Sequence, residues 1–408
     1  MTLLPSPLMG WPGSIDPLRL AERQLARDRA RTRGMRWLLA RKATRMSASP
    51  FAFLRGASPM FYEILAQAPL FAEGPAGEGW ICGDLHLENF GAYRPSGFHE
   101  EERGPRRRRR VAFGLNDFDD AAVAPVRFDV LRLVTSLLLG AREHGWSGGR
   151  ALRLCEALLG AYADDATPRP PPCVTALLDR AGKRSHRKLL ADRTETVRGR
   201  RRFTRGERYR ELGARARIAV EGALREAARG FGLAPDAPEL DVEDVAFRVA
   251  GTGSLGLLRV AALTRGKGED AQWIFDLKEE TRAASAPLVP DRLVPAERVR
   301  RAMEACLDPL PRMLGTATLM GRSVLVRRLA PQEDKLDIGR VAREELDDLA
   351  AYLGALTRAA HARGARRRLP RWTAADRRAV LDRAVVLAGV HEAAYLAFCR
   401  IVARARLV

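Results

Sequence analysis

This sequence predicts an α+β fold. Three observations carry that reading: helix-period segments fill both ends of the chain, strand-like runs concentrate between residues 241 and 332, and two short acidic motifs in the first third each come after an apolar, strand-like run. At 408 residues, 46% of them hydrophobic, the chain can bury a core spread over about two or three domain-sized units.

Asp16 and Pro17 can cap a helix running to about residue 42, whose basic face suits solvent. The run RMSASPFAFLRG (45–56) is broken at Ser49-Pro50 and closed by Arg55-Gly56; residues 58–68 suit a short helix and 78–82 a strand. Residues 90–93 and 111–115 read as strands joined by RPSGFHEEERGPRRRRR, a hairpin that would bring Asn89 and Asp117 together at its open end. The five consecutive arginines at 106–110 are expected in a solvated loop. Core helices are expected at 126–142 and 151–164, with HGWSGG as the turn between them. At 165–210 the composition shifts to TPRPPPC and clustered arginines, which suggests a linker or mobile insertion, with a helix next at 211–229. Strands are expected at 245–262, 272–278 and 323–329, and helices at 340–363 and 374–405. The resulting division is 1–165, 166–240, 241–332 and 333–408.

The formal charge of +20 raises nucleic acid or an anionic membrane as partners. Only six of the 70 basic residues are lysine, however, a skew that base composition can produce, and no aromatic residues interleave the basic clusters as a stacking platform needs. Neither specific nucleic-acid binding nor membrane association is therefore expected. The five cysteines are scattered and lack metal-ligand spacing, which argues against a disulfide framework or a zinc site and for reduced thiols. No basic segment leading into a sustained apolar stretch opens the chain, so a cytoplasmic location is expected.

Two acidic motifs carry chemistry. In ICGDLHLENFG (81–91), Asp84 and Asn89 stand five apart, the spacing that lets one short loop offer a carboxylate to an attacking hydroxyl and an amide oxygen to magnesium. In LNDFDDA (115–121), Asp117 and Asp119 would add hard oxygen ligands. Either motif alone is more often a polar turn. A third feature, Gly251-Thr252-Gly253-Ser254-Leu255-Gly256, fits G-x-G-x-x-G, and the chain continues from it as a strand-like run, a polar turn and a second strand ending in Lys278. A dinucleotide site would need a helix there. Gly251, Gly253 and Gly256 would let backbone N–H groups approach phosphates, with Lys278 pairing them; the bland alternative is a turn and a surface lysine. His86 is expected to buttress the loop, and His361 and His391 to be ordinary packing or surface residues.

RMSASPFAFLRG, GDLHLENFG, NDFDD, FRVAGTGSLG with DLKEE, and VRRLAPQEDKLD, in that order, resemble the bacterial family called domain of unknown function 2252 over residues 20–400. The same residues resemble the protein-kinase-like and aminoglycoside phosphotransferase superfamily. That second resemblance implies a two-lobed kinase-like fold and an ATP- and magnesium-dependent phosphotransferase. Asp84 would be the catalytic base, Asn89, Asp117 and Asp119 the metal ligands, and the glycines with Lys278 the nucleotide site; the acceptor would be an unidentified small molecule or protein hydroxyl. Two departures stand out: Cys82 replaces a usual His, and Gly251–Lys278 comes after the catalytic loop instead of preceding it, which implies circular permutation. Beyond Asp119 the resemblance implies that Asp129 is a helix cap or an anchor of the catalytic loop. Arg55 is expected to brace that loop, with a place near the phosphates as the alternative, and Glu297 or Glu304 to orient Lys278, since adjacent Glu279 would point the other way. The rival readings are nucleotidyl transfer on the same scaffold, a non-catalytic nucleotide-binding regulator, and an Arg-rich nucleic-acid-binding protein.

Overall fold

A computed structural model describes residues 15–33, 35–96, 111–164, 169–267 and 271–408. The arginines at 106–110 lie outside the described residues. Within them the chain is a mixed α+β protein.

Asp16 does cap a helix: its carboxylate accepts from the amides of Leu18 and Arg19, with Pro17 at the first position. The expected single helix is two, α1 (Pro17–Thr32) and α2 (Arg36–Met46), because Arg33 adopts a left-handed conformation (φ 52°) that ends the first. Ser49 then caps α3 (Pro50–Gly56), and α4 (Ser58–Gln67) and α5 (Pro69–Ala72) complete a helical opening. Strand β1 (Glu78–Ile81) pairs with β4 (Ala122–Pro125), and β2 (Phe90–Tyr93) with β3 (Ala112–Leu115), in the register Phe90 opposite Leu115. Helices α6 (Arg127–Glu143) and α7 (Gly148–Asp164) come next.

The expected linker at 165–210 is corrected: it contains α8 (Pro172–Gly182), α9 (His186–Ala191) and three short strands, β5 (Thr194–Val197), β6 (Arg200–Phe203) and β7 (Tyr209–Arg210). The few apolar residues among the arginines are what order it, since Leu190, Phe203 and Tyr209 bury themselves against Ile274 and Leu329. Helix α10 (Ala214–Ala227) leads into β8 (Val242–Arg248), β9 (Arg259–Thr264), β10 (Trp273–Glu279), α11 (Pro295–Cys306), β11 (Leu314–Leu319) and β12 (Arg322–Arg328). These strands, with β7, form a six-stranded sheet of order β11-β12-β10-β9-β8-β7. Period-two alternation sends Phe275 and Leu277 toward α10, where they pack with Val220 and Leu224. It leaves Ile274, Asp276 and Lys278 on the opposite face.

After β13 (Asp334–Lys335), which joins β2 at a sheet edge, the chain returns to the helical body as α12 (Leu346–Gly364) and α13 (Ala374–Arg404). Helix α12 packs on α7, and α13 on α6 and α1, so one hydrophobic core spans Ile15 to Leu407. By length and composition α13 could cross a membrane. In the structure its Val380, Leu387, Val390, Phe398 and Val402 are buried in that core.

The α7–α12 contact depends on a glycine. A Cβ at Gly354 would sit 2.1 Å from the Leu158 carbonyl oxygen, so any larger residue must part the helices. Gly354→Val should lower the unfolding free energy by about 1–3 kcal/mol. Urea denaturation measures this, and an unshifted midpoint would contradict the close packing.

Candidate active site

The loop after β1 is held from four directions. Gly83 has φ 79°, and a Cβ there would lie 1.9 Å from the Asp120 carbonyl oxygen, so the two acidic motifs touch through a position only glycine can fill. The amides of Cys82 and Gly83 donate to the two carboxylate oxygens of Asp129, at 2.6 and 2.9 Å. Tyr62 donates to the Gly83 carbonyl at 2.6 Å, and the Leu87 amide to the Ser136 hydroxyl at 3.2 Å. Asp129, in the first turn of α6, thus anchors the loop and makes no side-chain cap. Behind it stands His361, its Nε2 3.2 Å from Asp129 and its Nδ1 2.9 Å from the Tyr162 hydroxyl, all buried. His361 is therefore a second layer of support, beyond the packing role expected from the sequence, whereas His391 meets the Leu387 carbonyl of its own helix. His86 is buried and accepts from the Glu88 amide at 3.2 Å, as a buttress would. Arg55 pairs with Glu88 at 2.6 Å and braces the loop.

Asp84 faces a cleft, its side chain 23% exposed, and is paired with the guanidinium of Arg132, which is fully buried in α6. Burial pushes the Asp84 carboxyl up to about 7; Arg132 opposes that rise, and Asp120 and Asp117 add to it. Arg132 interrupts an otherwise apolar helical run, a signal that could have marked it from sequence.

At the open end of the β2–β3 hairpin the Asn116 amide donates to the Asn89 carbonyl at 3.0 Å, which brings Asn89 beside the second acidic motif. The Asn89 side chain is 1% exposed, and its Oδ1 has no hydrogen-bond partner among the described residues. Asp117 is half-exposed, with Lys278 Nζ 3.9 Å from its Oδ1, and Lys278 also contacts Asp119 directly. Burial raises the Asp117 pKa, but Lys278, Lys335, His86 and Arg259 outweigh it and hold the carboxylate below its usual range. Glu280, two residues beyond Lys278, is buried with an Oε1 unpartnered among the described residues, and burial pushes its carboxyl up.

The glycine-rich segment connects the paired strands β8 and β9. Its carbonyls are gripped by side chains of α1 and α2: Gly253 accepts from Arg31 at 2.7 Å and from Lys42 at 3.1 Å, and Gly251 from Arg45. Gly251 and Gly253 line the cleft, as do Asp84, Asn89, Asp117, Asp119 and Lys278. Gly256 is the exception. It has φ 100° and presses against the Arg31 backbone, where a Cβ would be 2.6 Å from the carbonyl oxygen; it shapes the loop and does not line the cleft.

Neither expected glutamate orients Lys278. Glu297 pairs with Arg300 and Arg301, and Glu304 with Arg300, all within α11 at helical i,i+3 and i,i+4 spacing. Glu279 points away, toward Arg33 and Arg322. The lysine is set instead by Asp117 and Asp119. What α11 does contribute, unforeseen in sequence, is Arg298: 2% exposed, it donates to the carbonyls of Asp119 at 2.8 Å and Thr281 at 2.7 Å, and also to that of Ala121.

These groups line one cleft of about 430 Å³, within the range of small-molecule sites. Among the described residues no three His, Cys, Asp or Glu converge as a self-sufficient metal site. Two carboxylates and an orphaned buried amide oxygen nevertheless fit magnesium, which takes few protein ligands and completes its shell with water and phosphate.

The raised Asp84 pKa has a consequence for stability. Between pH 4 and about 7 the folded state keeps a proton that the unfolded chain has released, so this group's contribution to stability falls as pH rises through that window. Asp84→Asn should remove that slope: from pH 5 to pH 8 the wild type should lose stability relative to the variant, as read by urea denaturation at both pH values. A constant difference between the two would show that the carboxyl is not perturbed.

No curated protein and no solved structure matches this chain. A family described as an uncharacterized protein conserved in bacteria (DUF2252) matches residues 35–169 and 171–401, almost the whole length and both halves of the cleft. The chain belongs to that family.

Proposed function

We propose that this protein is an ATP- and magnesium-dependent phosphotransferase acting on a hydroxyl acceptor, with a kinase-like site built in circularly permuted order. The carrying observation is Lys278 meeting Asp117 and Asp119 across a cleft that also exposes Asp84, the acids coming from the first third of the chain and the amine from a sheet more than 150 residues later. The permuted order is supported by the way the chain leaves the helical body after α7, builds the glycine-rich sheet and returns as α12 and α13.

In this reading Asp84 accepts the proton of the acceptor hydroxyl, a contribution of about 10²–10⁴ in rate. Arg132 and the Asp129-held backbone fix where that carboxylate stands. Gly251 and Gly253 allow the loop close to the phosphates, and Lys278 exchanges its carboxylate partners for phosphate oxygens. Asn89, Asp117 and Asp119 would hold magnesium, which supplies charge neutralisation at the phosphates. Nucleotidyl transfer is the second reading, favoured by the further arginines that line the cleft, Arg248, Arg259 and Arg327; product masses after incubation with ATP distinguish the two.

Calorimetry with ATP and magnesium should give saturable binding for the wild type and little or none for Asp117→Ala. Negligible heat in both would remove the support for the reading. With an acceptor in hand, kcat/KM should rise with pH through about 7 as Asp84 loses its proton, and Asp84→Ala should cost about 10²-fold or more. A flat profile with near-normal turnover in the variant would exclude Asp84 as the base.

A further inference from the structure

The sheet face above the cleft carries far more positive charge than a lone phosphate-binding lysine requires. Period-two alternation puts Asp276 on the same face as Lys278, about 7 Å along β10 toward its start. Register sets Arg327 of β12 directly opposite Asp276, and Arg259 of β9 opposite Lys278. Arg248 closes β8 beside them. Asp276 is 1% exposed and sits among all three guanidiniums, 2.7 Å from Arg248, 2.5 Å from Arg259 and 4.0 Å from Arg327. Those arginines hold its carboxyl far below the usual range, against the opposing effect of burial.

One carboxylate does not balance this group. Arg193 also lines the same cleft, donating to the Tyr209 hydroxyl, and among the described residues the further acid on these arginines is Glu333, 3.3 Å from Arg327. Among the described residues, four guanidiniums therefore have two carboxylates in ion-pair contact, with Asp117 and Glu280 acting on Arg259 from beyond contact distance. The Nε of Arg248 is buried with no hydrogen-bond partner among them, and burial beside Arg259 lowers its pKa despite Asp276. Packing cations together out of water is unfavourable unless an anion joins them. Guanidinium forks match phosphate oxygens in geometry as well as charge.

We propose that Arg248, Arg259 and Arg327 form a second phosphate-binding subsite, separate from the Lys278–Asp117 centre and adjoining it along β10. The inference rests on the reading that this cleft takes a nucleotide, and deepens it: the bound substrates present phosphate groups at two places. The second phosphate belongs either to the far end of the nucleotide's own chain or to a phosphorylated acceptor. Asp276 is then a built-in counter-ion that keeps the arginines aligned and competes with the ligand for them.

Tripolyphosphate without magnesium is the probe, titrated by calorimetry into folded wild type and variants. Arg327→Met removes the guanidinium that lies farthest from Asp276 and so disturbs the buried pairs least. It should weaken binding about tenfold, the loss of one charged hydrogen bond. Asp276→Asn removes the competing carboxylate and should tighten binding about tenfold, a gain that a purely structural role for the arginines does not predict. If Asp276→Asn does not fold, Arg327→Met still decides. Absence of saturable binding to the wild type, or equal affinity in wild type and Arg327→Met, overturns the subsite. Inorganic phosphate titrated into Asp84→Ala with and without saturating ATP and magnesium identifies the source: displacement by ATP assigns the subsite to the nucleotide's chain, and simultaneous binding assigns it to the acceptor. Because the probe needs neither magnesium nor Asp117, its failure is separable from failure of magnesium-dependent ATP binding.

Discussion

Arg298 is the tie on which the cleft depends. Its guanidinium, almost wholly withdrawn from water, spans the backbone of the second acidic motif and the backbone just beyond the lysine strand, and it lies 3.5 Å from the buried carboxylate of Asp291. Asp120 reinforces the junction by accepting from the Ala284 amide at 2.8 Å. A charge so placed is tolerable only while its partners stay in position, and breaking such a set by removing one member costs about 3–5 kcal/mol. Arg298 and Asp120 thus tie together two segments separated by some 160 residues.

The cleft's two walls differ in kind. The helical body supplies carboxylates and an amide on a loop that Asp129 holds at Cys82 and Gly83, while the sheet supplies mainly cations on register-locked strands, with Asp276 among them. With low-dielectric protein on either side, the field between the walls is stronger than the same charges would make in water. Burial favours the protonated forms of both Asp84 and Glu280, which line this cleft.

Much of this was legible in the sequence because it depends on short range. The turn between apolar runs around GTGSLG, the alternation that ends in Lys278, the five-residue offset from Asp84 to Asn89 and the hairpin that carries Asn89 to Asp117 are all consequences of local period and chain reach. They place each residue on its own element; the meeting of the two segments in one cleft comes from long-range contacts such as those of Arg298. The partner of Lys278 was not legible, since it depends on which face of α11 turns inward; the local spacing of Glu297 and Glu304 to Arg300 was the available clue that both acids were already engaged. Arg298, one position from Glu297, could not be separated by pattern from its arginine neighbours. The 165–210 segment misled for a related reason: a handful of apolar residues, spaced to meet Ile274 and Leu329 across the fold, outweighed a composition that on average suggests a linker.

The grip of α1 and α2 on the glycine-rich loop has an orientational result. A peptide unit is planar and trans, so its carbonyl and its N–H point in opposite directions. With the carbonyls of Gly251 and Gly253 drawn back onto Arg45, Arg31 and Lys42, the N–H groups of Thr252 and Ser254 are turned forward, away from those helices. These cations, Arg31 while itself lining the cleft, thus polarise two amide dipoles in one sense, and the first two helices fix the orientation of the glycine-rich backbone from a distant part of the sequence.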